Sequence, residues 1–160
     1  LGACETQSIT RIREPYEPAK HREVRIEPCV DRTGFKGDRD LAAESTQELI
    51  EKLRASTFFD IKTDGRLVLT CDIERFAEGS AAKRWLMPGW GATQASVAVT
   101  VWEMPRGRAL ATLRSQSSVS AGGLYTVGAD QYILGVAFSD IVKQLESWAN
   151  SDDAIKQKEP

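Results

Sequence analysis

Apolar and polar residues alternate over several stretches of the chain, as they do in β-strands with one buried face. The alternation predicts five strands, over residues 23–30, 58–61, 66–76, 93–104 and 108–119. The third strand has the clearest buried face, made of Leu67, Leu69, Cys71 and Ile73. Residues 104–107 read Met-Pro-Arg-Gly, with proline and glycine where a tight turn needs them, so the last two strands should form a hairpin.

Two further stretches carry apolar residues at helical spacing. The first helix is predicted to run from Asp38 or Asp40, either of which is a good N-cap, to about Ala55. The second is predicted to run from about Asp130 to Ala149. The order of elements is then β-α-β-β-β-β-α, and a right-handed crossover makes the first two strands parallel.

This order predicts an α/β fold, a two-layer sandwich in which both helices cover one face of a mixed five-stranded sheet. The opposite face should be solvated or used for assembly, because it carries polar residues such as Ser96, Thr100, Thr112 and Arg114. A chain of 160 residues is long enough for one domain with its own core.

That single domain is predicted to span residues 22–150. Residues 5–21 contain two prolines and mixed charges without a sustained period, which is typical of a tether. Residues 151–160 form a charged tail that we expect to be frayed. His21, where the tether meets the domain, is expected to be solvated.

Residues 1–4 read Leu-Gly-Ala-Cys, which resembles the end of a bacterial lipoprotein signal. In such signals small residues let the peptidase approach the backbone, and the thiol of the cysteine accepts the lipid. Cys4 is therefore the predicted lipidation site, and an upstream targeting segment is expected to have been removed. The following residue, Glu5, favours the outer membrane, facing the periplasm, over retention in the inner membrane. Several acyl chains on one cysteine would anchor the domain stably.

The net charge of −2 argues against a nucleic-acid-binding protein, which would carry a basic surplus. No apolar run approaches the length of a membrane-spanning helix, so any membrane contact should come from an anchor or an inserted loop.

Cys29 and Cys71 both lie in predicted strands. An oxidising periplasm permits a disulfide between them. Strand alternation, however, turns Cys29 outward and Cys71 inward, so two separate buried thiols are favoured; a bulge at Pro28 would restore the match and permit the bond. No metal site is predicted, because neither cysteine has a second cysteine or a histidine at ligand spacing.

Residues 83–91, Lys-Arg-Trp-Leu-Met-Pro-Gly-Trp-Gly, place large apolar side chains between predicted strands, where a polar turn is expected. Such side chains are enriched at protein interfaces. The predicted contact residues are Arg84, Trp85, Leu86, Met87 and Trp90. The alternatives are that this segment folds back on its own sheet or contacts the membrane.

No residues form a recognisable catalytic set or cofactor motif, so we expect no enzymatic activity and no cofactor. The loop over residues 31–40 precedes a helix, where open α/β sheets often bind ligands, but its aspartates would repel an anion. It is more typical of an ordinary loop.

The segment 84–92, together with the valine-rich hairpin and the Gly122-Gly123 pair, resembles a bacterial lipoprotein family of unknown function, over roughly residues 24–148. More distantly, the element order resembles the amino-terminal domain of TolB and export-system lipoproteins of the PelC and curli-secretion types. This resemblance implies a non-enzymatic envelope protein that assembles into rings or docks on larger machines. The alternative is a periplasmic binding module for a glycan, a peptidoglycan fragment or a small ligand.

Overall fold

The computed structural model describes residues 4–79, 91–119 and 128–156. Within them the helices are α1 (Pro18–His21), α2 (Leu41–Arg54) and α3 (Ala129–Lys156). The strands are β1 (Cys4–Ile12), β2 (Glu23–Ile26), β3 (Val30–Asp31), β4 (Asp60–Ile61), β5 (Leu67–Ala77), β6 (Thr93–Glu103) and β7 (Arg108–Val119).

These strands form one mixed sheet in the order β1-β7-β6-β5-β2-β4, and β3 pairs separately with β5. β5, β6 and β7 pair antiparallel, and the chain turns between β6 and β7 over residues 104–107, so the predicted hairpin is confirmed. β2 pairs parallel with both β4 and β5, as the predicted crossover requires. Both long helices cover one face of the sheet, and the predicted α/β fold is confirmed.

The sheet has more strands than the five expected. The predicted strand over residues 23–30 is divided into β2 and β3, which both pair with β5. Pro28 lies in the break, and a proline has no backbone N–H to donate to a strand ladder. The remaining additional strand is β1.

β1 corrects the prediction of a tether over residues 5–21. It pairs antiparallel with β7 from Cys4 opposite Val119 to Ile12 opposite Ala111. Beyond β1 the chain packs Tyr16 and the helix α1 against the core. The residues of β1 include threonine and isoleucine but no glycine or proline, so they are suited to a strand once the edge of β7 is available.

The two long helices begin where the sequence indicates. The side chain of Asp40 caps α2 by accepting a hydrogen bond from the backbone N–H of Ala43 at 3.0 Å. α3 continues past the predicted end at Ala149 to Lys156, so part of the expected frayed tail is helical. No glycine or proline lies between those two residues to end the helix.

The hydrophobic core lies between the helices and the central strands. Every second residue of β6, and of β5 as far as Ile73, points into it, as the alternation predicts. The largest fully buried side chains that the helices contribute are Leu41, Leu49, Leu53, Ile133, Phe138, Ile141 and Trp148.

Cys29 and Cys71 are joined by a disulfide, with 4.5 Å between their Cα atoms. The sequence favoured two separate thiols, and this expectation is wrong. Strand alternation turns Cys29 outward only if residues 23–30 form one continuous strand. Because the strand is interrupted before Cys29, this residue is free to turn inward, and both cysteines are buried.

Candidate functional site

The predicted contact residues Arg84, Trp85, Leu86, Met87 and Trp90 lie outside the described residues. The structure does describe the chain on both sides of them. β5 leads into this segment and β6 leads out of it, at one end of the sheet.

The carboxylate of Asp130 ties both flanks of that segment to the beginning of α3. Its Oδ1 accepts a hydrogen bond from the backbone N–H of Gly79 at 2.9 Å and one from the hydroxyl of Thr93 at 2.7 Å. The same Gly79 N–H lies 3.2 Å from the hydroxyl oxygen of Thr93. The entry and exit of residues 80–90 are therefore held together by one side chain.

Arg39 extends this cluster to α2. Its Nη1 donates to the backbone carbonyl of Asp130 at 2.6 Å, and its Nε and Nη2 donate to the carboxylate of Glu44 at 3.1 and 2.6 Å. The guanidinium also lies 4.9 Å from the ring centroid of Phe76. Hydrogen bonding to Glu44 raises the pKa of Arg39, so the group stays charged. The cluster joins both helices to the sheet.

At the other end of β6 lies a second buried polar cluster, around His21 and Glu103. The Nδ1 of His21 accepts the backbone N–H of Glu17 at 2.9 Å, so the proton on Nε2 is donated to Oε2 of Glu103 at 2.7 Å. The other carboxylate oxygen accepts from Nη2 of Arg108 at 3.2 Å. The imidazole ring is stacked on Trp148 at a centroid distance of 5.8 Å.

His21 was expected to be solvated, and this prediction is wrong, because its side chain is only 1% exposed. The sequence of β6 nevertheless indicates a buried acidic residue that needs a partner. Its alternation places Val97, Val99 and Val101 inward, and Glu103 continues the same face. A carboxylate on a buried face needs a cationic or hydrogen-bonding partner, and the single histidine of the sequence supplies one.

The face of the sheet away from the long helices carries an open groove of about 840 Å³. Strand register sets its floor. One row of side chains runs straight across four strands, from Gln7 through Gln116 and Ser96 to Arg75. These are hydrogen-bonding side chains, so the predicted polar face is present.

A β-bulge shapes the groove. The register between β5 and β6 shifts between Ile73 and Arg75, so Glu74 is an extra residue. Glu74 and Arg75 are both exposed at the groove. Glu74 accepts a hydrogen bond from Nε of Arg114 at 3.2 Å, whereas Arg75 has no ion-pair partner among the residues that the structure describes.

Two carboxylates of the loop over residues 31–40 accept hydrogen bonds from neighbouring residues of the chain. Oδ1 of Asp31 accepts from the backbone N–H and the hydroxyl of Thr33 at 2.8 and 2.7 Å. Asp40 occupies the N-terminus of α2 as its cap. An anionic ligand would have to displace that carboxylate.

Cys4, the predicted lipidation site, is the first residue of β1, and its thiol is exposed and unbonded. In the described portions of the chain no group of three histidine, cysteine or acidic side chains is placed to hold a metal ion. The helices there include none that is long and apolar enough to cross a membrane.

The fold and the clusters above define an α/β sandwich domain with a disulfide, a polar open face and an exposed cysteine at the beginning of β1. The chain belongs to the family of the domain of unknown function DUF4410, whose profile matches residues 36–123. No curated protein matches the chain.

Among solved structures, the PelC dodecamer from Paraburkholderia phytofirmans is similar, with a TM-score of 0.64 and 11% identity over 86% of this chain and 97% of that chain. The hypothetical protein CT253 from Chlamydia trachomatis has a TM-score of 0.53 and 14% identity, over 81% and 98% of the two chains. At these identities the similarity establishes a shared fold. The resemblance to PelC expected from the sequence is confirmed at that level.

Proposed function

We propose that this protein is a lipid-anchored, self-associating structural component of the bacterial cell envelope. The position of Cys4 carries the proposal. It is an exposed, unbonded thiol at the first residue of an edge strand, and it follows a sequence that resembles a lipoprotein signal. A lipid on this residue would hold the sheet close to a membrane, because β1 begins at Cys4 without an intervening tether.

Two further observations support an envelope location. The disulfide between Cys29 and Cys71 is typical of oxidising compartments such as the periplasm. The fold is shared with PelC, which was solved as a dodecamer, and we extend that capacity for self-association to this chain as part of the proposal. The outer membrane, facing the periplasm, is the membrane we propose.

The role we propose is non-enzymatic. Among the described residues, the buried His21–Glu103 pair and the half-buried Arg39 hold elements of the fold together. His21 and Glu103 connect α1 to β6, and Arg39 connects α2 to α3. The sequence of residues 84–90 supplies the main contact in this proposal, and Asp130 restrains the chain on both sides of it.

Anchoring can be tested by producing the precursor in bacteria with a labelled fatty acid and separating the membranes. We expect the label on the wild-type protein and its recovery with the outer membrane, and neither for Cys4→Ala. The control is Cys71→Ala, which should still be labelled. A wild-type protein that is released as a soluble, unlabelled periplasmic protein would contradict the proposal.

One observation favours a second function, that of a binding module. The groove of the open face has a polar floor, and the exposed guanidinium of Arg75 there has no ion-pair partner in the described parts of the chain. Such a groove suits an extended hydroxylated ligand with a carboxylate, such as a peptidoglycan fragment. Thermal shift with muropeptides would test this. Binding should raise the melting temperature of wild-type protein and of Arg54→Ala, but not of Arg75→Ala.

A further inference from the structure

The edge of the sheet at β1 is long and open. β1 pairs with β7 on one side, and in the described ranges no strand lies on its other side. All nine of its residues are exposed. The opposite edge is β4, which has only two residues. A long exposed edge presents backbone N–H and C=O groups that can pair with another strand, and a short one does not.

β1 also lacks two of the features that block edge pairing, a proline and a bulge. It contains no proline, and its register with β7 runs without a shift. Three side chains on its inner face hold the strand in place. The hydroxyl oxygens of Thr6 and Ser117 are 3.2 Å apart. The hydroxyl groups of Ser8 and Thr10 donate hydrogen bonds to Oδ1 of Asp140 and Oε1 of Gln144 in α3, at 2.6 and 2.7 Å. The edge is therefore pre-formed.

The geometry points to a second copy of the same chain as the occupant of this edge, paired antiparallel through β1 about a twofold axis at Ser8. This inference deepens the proposed self-association and rests on it. The charge pattern of the strand carries it. In this register all nine residues pair. Glu5 of each copy lies opposite Arg11 of the other, so two equivalent ion pairs form across the interface.

Strand geometry places these groups on the same side. Glu5, Gln7, Ile9 and Arg11 alternate with the three residues that face α3, so they lie on the open face. Neither Glu5 nor Arg11 makes an ion pair or a side-chain hydrogen bond with another described residue, so both are available. Ile9, 40% exposed, would lie diagonally across the axis from Ile9 of the second copy.

Other antiparallel registers that keep the same residues on the open face are less favourable. A shift of two residues in either direction reduces the number of residue pairs. One shift places Glu5 opposite Ile9. The other places Arg11 opposite Gln7 and Glu5 opposite Arg13, which lies beyond the last residue of β1, so one of the two charged residues of the strand loses its partner. In the favoured register the two Cys4 residues lie at opposite ends of the joined strands, about 27 Å apart along the strand direction. Both lipids reach one bilayer when the twofold axis lies along the bilayer normal.

Charge reversal tests this interface. The full-length lipidated protein, purified from total membranes in mild detergent at low salt, is followed by sedimentation over a concentration series. We expect Glu5→Arg and Arg11→Glu each to raise the dissociation constant roughly 5- to 30-fold, because two attractive pairs become two repulsive ones. The combined variant should return close to the wild-type value, since the swapped charges again face each other. Arg54→Glu, an exposed charge on α2, should have no effect.

The register is tested by cysteine cross-linking. Ser8→Cys places two thiols opposite each other at the axis, so mild oxidation should yield a covalent dimer, whereas the exposed Gln47→Cys on α2 should not. If the protein associates but neither charge reversal weakens the association, this interface is wrong while the proposed self-association stands. If the wild-type protein is monomeric at every concentration, both are wrong.

Discussion

The Nε2 atom of His21 lies 2.7 Å from Oε2 of Glu103, across 82 residues of sequence, and both side chains are almost completely buried. The pair attaches the segment after β1 to the end of the β6–β7 hairpin. Tyr16 and Trp148 enclose the imidazole, and the indole N–H of Trp148 donates to the carbonyl of Glu14 at 2.9 Å. The position of the N-terminal segment therefore depends on this pair.

His21→Ala should lower the free energy of unfolding by about 3 to 5 kcal/mol, because it leaves a buried carboxylate without its main partner. Urea unfolding measures the change. The matched control is Arg22→Ala, which removes the ion pair between Arg22 and Asp60. The side chains of these two residues are 60% and 51% exposed. Its loss should cost less than about 1 kcal/mol. Equal effects of the two substitutions would contradict the assigned role of the pair.

Glu103 should make stability depend on pH in the acid range. The hydrogen bond from His21 lowers the pKa of Glu103 below its ordinary value in an unfolded chain, which is about 4.3. The folded state therefore binds the proton less well than the unfolded state. The ionised carboxylate of Glu103 therefore stabilises the folded state at pH values above the ordinary pKa. This contribution is lost as the pH falls through the lowered pKa of the folded state.

The free energy of unfolding should therefore fall more steeply between about pH 5 and pH 3 in the wild type than in Glu103→Gln, which cannot titrate. Denaturant unfolding at several pH values gives the two slopes. The other carboxyl groups are common to both proteins, so the difference isolates Glu103. Parallel curves would show that this group does not supply the acid sensitivity.

The disulfide should contribute substantially to stability. It joins residues 42 apart in the sequence, and a loop of this size corresponds to about 4 kcal/mol of chain entropy. Adding a reductant to the wild type should therefore lower the urea midpoint, and it should leave the Cys29→Ala/Cys71→Ala variant unchanged. A wild-type midpoint that is insensitive to reductant in unfolding experiments at equilibrium would contradict this assignment.

Gly65 should not tolerate a side chain. A Cβ at this position would lie 2.6 Å from the backbone carbon of Val24 and 2.7 Å from the backbone nitrogen of Arg25. Gly65→Ala should therefore force β2 to shift and cost about 1 to 3 kcal/mol in thermal or urea unfolding. Gly135→Ala is the control, since the nearest atoms to its Cβ would belong to the carboxylate end of the Glu48 side chain, at 3.2 Å or more, and alanine favours the helix. A larger loss for Gly135→Ala would contradict the packing described.

Much of the fold could be predicted because β5, β6 and β7 carry a strong alternation of buried and exposed residues. Asp40 likewise marks the beginning of α2. The disulfide could not be predicted from strand alternation. The break at Pro28 changes the side-chain parity of Cys29, and where the strand resumes is set by the pairing of β3 with β5. β1 was missed because both of its faces are polar, so its strand structure depends on an available edge of β7.

The contacts that form the polar clusters of the site could not be predicted from the sequence. Asp130 meets Gly79 and Thr93 only because α3 begins beside the end of the sheet, and no local motif marks that contact. Glu103 was within reach, since the inward parity of β6 marks it as a buried acid. Its partner His21 was assigned to a tether instead.

The sequence of residues 84–90 remains the predicted contact in assembly. The Trp85→Ala/Trp90→Ala variant should lower the native mass while leaving the far-ultraviolet circular dichroism and the urea midpoint unchanged. Tyr132→Ala, an exposed aromatic residue on α3, is the control and should leave the mass unchanged. A double variant with wild-type mass would exclude these tryptophans from the interface.

The most direct test of the whole account is the native mass of the full-length, lipidated protein extracted in mild detergent. Multi-angle light scattering with the detergent contribution subtracted gives the protein mass. We expect a defined oligomer whose mass is a multiple of that of the lipidated chain and which contains the acylated Cys4. A monomer at every accessible concentration would contradict the claim that this domain is a self-associating component of the envelope.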